Sequence, residues 1–228
     1  MSTQNISINE LLKNIEGNNE LNFTLPHSKR ELKTKRFNVD SISKLNEIFV
    51  ESSPYKIVLK YYDYLHKLVK SRSDGEINYL DFLYIILYLR AAENNEFEDI
   101  DLNNVINNLD ISNIKIKDEK VFNDKNIKFI VKYSIPNLNK LEEILKTAKR
   151  SKEDIVFYSV FKYVNSIQVH LNDTVSDCNT VNDLKRLYDA VSYKAIDEIS
   201  NETNQIDDQI HRLFKVNIET DTKFLLTI

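Results

Sequence analysis

Asn78–Glu93 reads NYLDFLYIILYLRAAE, and the reading of this stretch decides the fold. Phe82, Ile85, Ile86 and Leu89 recur at helical spacing along one face, and Tyr79, Leu83 and Leu87 cover the next. Asn78 stands where an N-cap is wanted, with Asp81 three residues on in the capping-box position. Arg90 falls in the last turn, where a cation suits the C-terminal end of the helix dipole. A helix apolar on nearly every side has to be packed by neighbours all round. It is too short to cross a bilayer, which takes roughly 20 apolar residues. The stretch therefore predicts a central core helix, marked by Asp81, Tyr84, Leu87, Leu89 and Arg90. Arg90, if buried at the helix end, requires a carboxylate such as Glu93 or an acid from a later β-unit.

Working back from it, Ser71–Glu76 is a turn. Pro54, after Ser52 and Ser53, opens a helix to about Lys70 with Ile57, Val58, Tyr61, Tyr64, Leu65 and Leu68 inward. Asp40–Glu51 is a further helix, with Ile42, Leu45, Ile48 and Phe49 on one side. Before it, Leu21–Leu25 alternates, Pro26–Lys29 is a turn, and Arg30–Val39 alternates again, which predicts a β-hairpin. Lys29, Arg30, Lys33, Lys35 and Arg36 sit on that hairpin, followed by Phe37. One reading is a solvated edge strand protected from aggregation by its charge. The other is a docking edge for an acidic partner. Residues 1–20 form a polar arm with an amphipathic segment at Ile8, Leu11, Leu12 and Ile15.

Working forward, Phe97–Leu102 has strand character. Ile111–Lys117 and Ile127–Tyr133 alternate on either side of a turn at Asn123–Lys125, which predicts a small β-unit ending at Pro136. Asn137 caps a helix to about Lys149. Ser151 with Asp154 opens another, to Asn165. Ile167–Val175 reads as a short hairpin. Thr180–Val191 is a helix capped by Thr180 and Asp183, and Tyr193–Ile199 continues helically through Ile210. Leu213–Ile218 and Phe224–Ile228 flank a turn at Glu219–Thr222 and predict a terminal hairpin. The expected class is α+β: an N-terminal hairpin on three helices, a small β-unit, further helices and a C-terminal hairpin. The segments are an arm over 1–20, a hairpin plus three-helix unit over 21–93, a β-unit over 94–136, and a helical unit with terminal hairpin over 137–228. Residues 21–228 are expected to form one compact domain.

Composition narrows the function. The chain has 228 residues, 42% hydrophobic and 29% charged, enough for one sizeable core. A net charge of −4 argues against a general nucleic-acid binder. One cysteine, Cys178, precludes an internal disulfide and fits a reducing compartment or a protein that needs no staples. No signal peptide or lipid anchor is expected, and no apolar run reaches membrane length. With two glycines, Gly17 and Gly75, no Gly-rich phosphate loop exists.

A search for chemistry finds little. His27, His66, His170 and His211 are scattered, and none has Cys or carboxylate partners at ligand spacing, so no metal and no cofactor is expected. Cys178 lies in a polar SDCNT stretch without an activating base. The acidic pairs Asp99/Asp101, Glu142/Glu143 and Asp207/Asp208 read as solvated faces, where paired carboxylates lack the burial that separates their pKa values. The tyrosines Tyr61, Tyr62, Tyr64, Tyr84 and Tyr88 fall at helical spacing among aliphatics and read as packing with rim hydroxyls. The chain is expected not to be an enzyme, although a site assembled from distant residues stays open.

Taken together, these pieces resemble the baseplate hub subunit or hub assembly protein family of T4-type contractile-tailed bacteriophages. The matching residues are Thr24, Leu25 and Pro26 at the end of the first strand, Arg36 and Phe37 after the basic strand, and the run D-x-x-Y-(I/L)-x-L-x-L-R-A at Asp81, Tyr84, Leu87, Leu89, Arg90 and Ala91. The order continues through IDLNNV at Ile100–Val105, KYSIPNLNKLE and IVFYSVFKYVNSIQV, so the likeness spans nearly the whole chain. Family members often carry zinc-knuckle cysteine pairs in their hairpins. Here the corresponding places, around Glu93–Glu96 and Glu219–Thr222, have none, which implies hairpins held by ordinary packing without metal. The resemblance implies a non-enzymatic protein that binds other tail and baseplate proteins in the infected bacterial cytoplasm, and in the virion if it is a subunit; homo-oligomers are compatible with it. The alternative is a tail-assembly chaperone that binds the tape-measure protein and is absent from the virion. The hairpin residues Lys29, Arg30, Lys33, Lys35, Arg36 and Phe37, with the terminal hairpin, are the expected docking surfaces. Nucleic acid and membrane are not expected partners.

Overall fold

The computed structural model describes residues 20–36, 39–49, 54–72, 75–92, 109–148 and 152–214. Within them the chain is α+β. A hairpin of β1 (Glu20–Thr24) and β2 (Glu31–Lys35) comes first. Three helices follow: α1 (Val39–Phe49), α2 (Pro54–Arg72) and α3 (Tyr79–Ala92). Next come β3 (Glu119–Asp124) and β4 (Ile127–Tyr133), α4 (Leu138–Ala148), α5 (Lys152–Phe161), β5 (Val164–Leu171), β6 (Thr174–Cys178), α6 (Val181–Ala190) and α7 (Tyr193–Phe214). No helix among the described residues is long and apolar enough to cross a membrane.

The apolar stretch that opened the sequence reading is α3, and it is buried as its pattern requires. Leu80, Phe82, Leu83, Ile85, Ile86, Leu87 and Leu89 are all buried, while Tyr84 and Tyr88 are half-buried at its rim. The hairpin lies against it: Phe23 stacks on Tyr88 at 4.2 Å between ring centroids and tilts against Tyr84. Leu32 and Thr34 alternate inward on β2 while Glu31, Lys33 and Lys35 point out, the period of two expected of a half-buried strand.

The strands β3, β4, β5 and β6 form one antiparallel sheet in that order, although two helices separate β4 from β5 in the chain. Its inner face carries Phe122, Phe129, Val131 and Ile167, which join the same hydrophobic cluster as the residues of α3. Phe122 and Phe129, cross-strand partners, stack at 5.0 Å.

Several sequence expectations are corrected. Ile111–Lys117 is not a strand: Ile111–Asn113 is a turn of 3-10 helix capped by Asp110, and the partner of β4 is Glu119–Asp124. The alternation of isoleucines there serves a chain that lies on the core irregularly, with Ile111 buried and Ile114 and Ile116 half-buried. The helix opening near Ser151 ends at Phe161 and not at Asn165, because Val164 already pairs with Tyr133 in the sheet. The hairpin expected at Ile167–Val175 is longer, spanning β5 and β6. Leu213 and Phe214 belong to α7, not to a strand. Glu20, expected to end the arm over 1–20, opens β1 instead; the rest of that arm, the strand expected at Phe97–Leu102 and the terminal hairpin beyond residue 214 lie outside the described residues.

Candidate functional site

Three chain segments meet at the start of α3. Asn78 caps the helix, its Oδ1 accepting the Asp81 backbone N–H at 2.9 Å. The Asp81 carboxylate is fully buried and accepts three donors: the His27 backbone N–H at 2.9 Å, the Ser28 backbone N–H at 3.1 Å and Asn78 Nδ2 at 3.1 Å. The same Asn78 amide donates to His27 Nδ1 at 2.8 Å, which makes that ring nitrogen an acceptor. A carboxylate placed in the first turn to suit the helix dipole thus also grips the turn of a hairpin more than fifty residues away.

The opposite side of the segment is held as well. Asn78 and Asn137 form an isolated β-bridge, with Tyr79 N–H donating to the Pro136 carbonyl and Leu138 N–H to the Ile77 carbonyl, both at 2.8 Å. Asn137 caps α4 as Asn78 caps α3, its Oδ1 accepting Lys140 N–H at 2.9 Å. Its side-chain amide donates to Glu76 Oε1. Two helices therefore start back to back. Gly75, at φ +85°, lets the Arg30 guanidinium lie on the backbone: a Cβ there would come within 2.6 Å of Arg30 Nη2. Arg30 Nη1 donates to the Glu76 carbonyl at 2.6 Å.

These contacts assign the hairpin cations different duties. Arg30 clamps the Gly75–Glu76 loop. Lys29, at φ 57°, closes the turn, its N–H bonded to the Leu25 carbonyl. Lys33 pairs with Glu20 at 2.5 Å on the surface. Lys35 is exposed and Arg36 half-buried. On the outward face Glu20 stands opposite Lys35, Asn22 opposite Lys33 and Thr24 opposite Glu31, so two acids and two lysines share it. Phe37, the side chain of Arg90 and Glu93, one of the carboxylates expected to partner it, lie outside the described residues.

A second polar cluster was not anticipated. Asp207, expected on a solvated face, accepts the nearly buried Lys162 at 2.6 Å and the Tyr163 hydroxyl at 2.7 Å. Burial is the main reason that the Tyr163 hydroxyl is held far above the usual phenol range, with the nearby Tyr79 and Asp207 adding to it. Lys162 also faces the rings of Tyr163 and Tyr158. Beside it, Thr203 is fully buried and donates to the Val160 carbonyl at 2.7 Å. Asp208 alone of that acidic pair is exposed. Glu142 departs from expectation in the same way: hydrogen bonds from Lys70 at 2.6 Å and from Lys146 hold its carboxyl down at about 2, while Glu143 is exposed.

The remaining candidates stand apart. His66 is buried edge-on against Phe82, and desolvation pushes it down to about 3, so it is a neutral core residue. His27 is in the hairpin turn, His170 bonds Gln168, and His211 is half-buried beyond Asp207 on α7. Burial raises the Cys178 thiol, which opposes a thiolate. Lys140 is lowered by burial to about 8 and donates to the Val164 carbonyl. No group of three or more His, Cys, Asp or Glu among the described residues is placed to hold a metal ion. The two clusters join elements of the fold. The Lys162–Asp207 pair carried no sequence signal beyond the position of Asp207 four residues after Thr203 on one helical face.

No protein-family model, no curated protein and no solved structure matches this chain.

Proposed function

We propose that the chain is a non-enzymatic assembly protein of the tail baseplate hub of a contractile-tailed phage, working by contact with other tail proteins. The observation that carries this reading is the Asp81 junction. His27 and Ser28, which directly follow the Thr24-Leu25-Pro26 of the resemblance, donate their backbone N–H groups to Asp81, the first residue of its second run. A buried structural carboxylate gives such a pattern a physical cause, since it is costly to replace. A second support is the deployment of polar groups: the buried ones tie helices and strands together, which suits a scaffold or an adaptor.

The test is deletion of the coding gene in the phage, together with mass spectrometry of purified particles and of what a tagged copy retains during infection. Tailless heads and retention of baseplate proteins support the proposal. Presence in the virion at fixed stoichiometry makes the protein a hub subunit; absence, with the tape-measure protein retained, makes it the chaperone. Normal tails from the deletion phage sink both readings.

A further inference from the structure

Helix α7 lies along β3 and the chain just before it, running the opposite way. Ser192, which caps α7, donates to Asp124. Glu198 receives Lys120, at 2.8 Å on its carbonyl and 3.1 Å on its carboxylate, and Gln209 accepts the Lys115 N–H at 2.9 Å. Two acids of this helix have their cations: Lys120 answers Glu198, and Lys162 answers Asp207 together with the Tyr163 hydroxyl. Glu202 differs. It stands one turn beyond Glu198 on the same side of α7, is 8% exposed, and has neither a cation nor a hydrogen-bond donor among the described residues.

Tyr133 is in the same condition. Its N–H donates to the Asp118 carbonyl at 3.0 Å, which sets it between the levels of Lys120 and Lys115, as Glu202 lies between Glu198 and Gln209. Tyr133 is 4% exposed, and its hydroxyl has no hydrogen-bond partner among the described residues. Burial first, and then the nearby carboxylates of Glu202 and Glu198, hold that hydroxyl above the usual phenol range. A carboxylate and a hydroxyl closed off together are costly unless a cation answers the one and a polar partner the other. At Asp207 the fold provides acid, tyrosine and lysine; at Glu202 it provides the acid and the tyrosine alone.

We propose that Glu202 and Tyr133, with Glu198 at the solvent rim, form a site for one small monovalent cation of the ammonium or potassium kind. Glu202 supplies the charge, and the Tyr133 oxygen and the Glu198 carboxylate are further acceptors. The Glu198 side chain, 38% exposed, marks the way in. Glu198 and Glu202 set against Lys120 leave one negative charge, which a monovalent ion neutralises. The bound ion ties α7 to β4 as the Lys162–Asp207 pair ties it to the end of α5.

The test is urea unfolding of the full chain in about 0.3 M chloride of tetramethylammonium, sodium, potassium or ammonium, so that screening is constant. Tetramethylammonium has no N–H and is too wide for so closed a niche. At least one small cation should lower the unfolding equilibrium constant of the native chain about tenfold more than that of Glu202→Gln, as a site with a Kd near one-tenth of the concentration requires. Glu143→Gln, on the surface of α4, should respond as the native chain does. Tyr133→Phe, which keeps the acid, should shrink the response about threefold and serves as the second variant. A response to ammonium alone identifies a hydrogen-bonded ion, and one shared with potassium a coordinated ion; both support the site. Equal responses in the native chain and Glu202→Gln, or no response in any salt, would overturn it. So would a native chain that ignores the salts but gains stability over Glu202→Gln as pH falls, since Glu202 then takes a proton instead.

Discussion

Asp81 and Asp183 hold the same position, three residues after the cap, on two different helices, and they should differ sharply in what they contribute. Asp183 completes a capping box with Thr180 on α6, on an exposed surface. Its replacement by alanine should cost about 1 kcal/mol. Asp81 accepts two backbone N–H groups from the hairpin turn, at 2.9 and 3.1 Å, besides the Asn78 amide. Hydrogen bonds to a charged group contribute roughly 1.5–3 kcal/mol each, and the lower end applies because His27 is exposed and water recovers part of the loss. Two such bonds, with about 0.5 kcal/mol for the helix dipole, put Asp81→Ala at about 3–4 kcal/mol. With a urea slope of about 2–3 kcal/mol/M, the midpoint should drop by more than about 1 M for Asp81→Ala and by less than about 0.5 M for Asp183→Ala. Hydrogen exchange supplies a local readout. The His27 and Ser28 amides should lose protection in Asp81→Ala while α3 keeps its own, and neither should change in Asp183→Ala. A difference between the two variants under about 1 kcal/mol, or turn amides that stay protected, would refute the junction.

Three further outcomes follow from the same geometry. His66 titrates near 6.5 when unfolded and about 3 when folded, so its contribution is full above pH 6.5 and is lost as pH falls toward 3. Unfolding free energies measured from pH 7 to 4 should fall on the order of 3 kcal/mol more in the native chain than in His66→Phe. Lys162→Met leaves Asp207 without its cation and should cost about 3 kcal/mol, whereas K162M/Y163F/D207L, which removes all the polar partners, should return to within about 1 kcal/mol of the native chain by chemical denaturation. Lys125, at φ 55° in the two-residue turn between β3 and β4, should gain roughly 0.5–1 kcal/mol on replacement by glycine; Asn172, at φ 53° in the turn between β5 and β6, should gain less, because asparagine tolerates that conformation, and thermal melts of the two variants decide it.

What was legible in the sequence is what local chemistry decides. Asn78, Asn137 and Thr180 announce helix starts because a cap bonds within its own first turn, and all three do so here. The burial of α3 on nearly every side was legible because no solvated helix is apolar all round. β1, β2 and β4 alternate with apolar residues inward, so their faces could be assigned before their partners were known. For the site, the hairpin cations were identified as a group, but their separate duties were not. Arg30 and Lys33 act on residues that follow or precede them at a distance, Glu76 and Glu20, and a run of like charges read along one strand says nothing of the strand beside it.

The failure at β3 shows the physical limit most clearly. EKVFND puts Lys120, Phe122 and Asp124 on the inner face, two charges about one ring, while Val121 stands half exposed on the outer face. Period-two reading assigns the apolar set to the core, and it would turn this strand over or reject it. The polar residues are tolerated inside because α7 and Ser192, which caps it, satisfy them: Lys120 donates to the Glu198 carbonyl at 2.8 Å and meets its carboxylate at 3.1 Å, and Asp124 accepts from the Ser192 hydroxyl. Those partners lie 68 and 78 residues away in the chain. Ile111–Lys117 is the converse, an alternating segment that pairs with no strand among the described residues and is not one itself. A strand exists where a ladder is available and its inward groups are answered, and both conditions are set by elements elsewhere in the sequence. Burying Lys120 and Asp124 against α7 also makes the sheet and the last described helix interdependent, since releasing α7 would leave two ionisable groups of β3 without their partners.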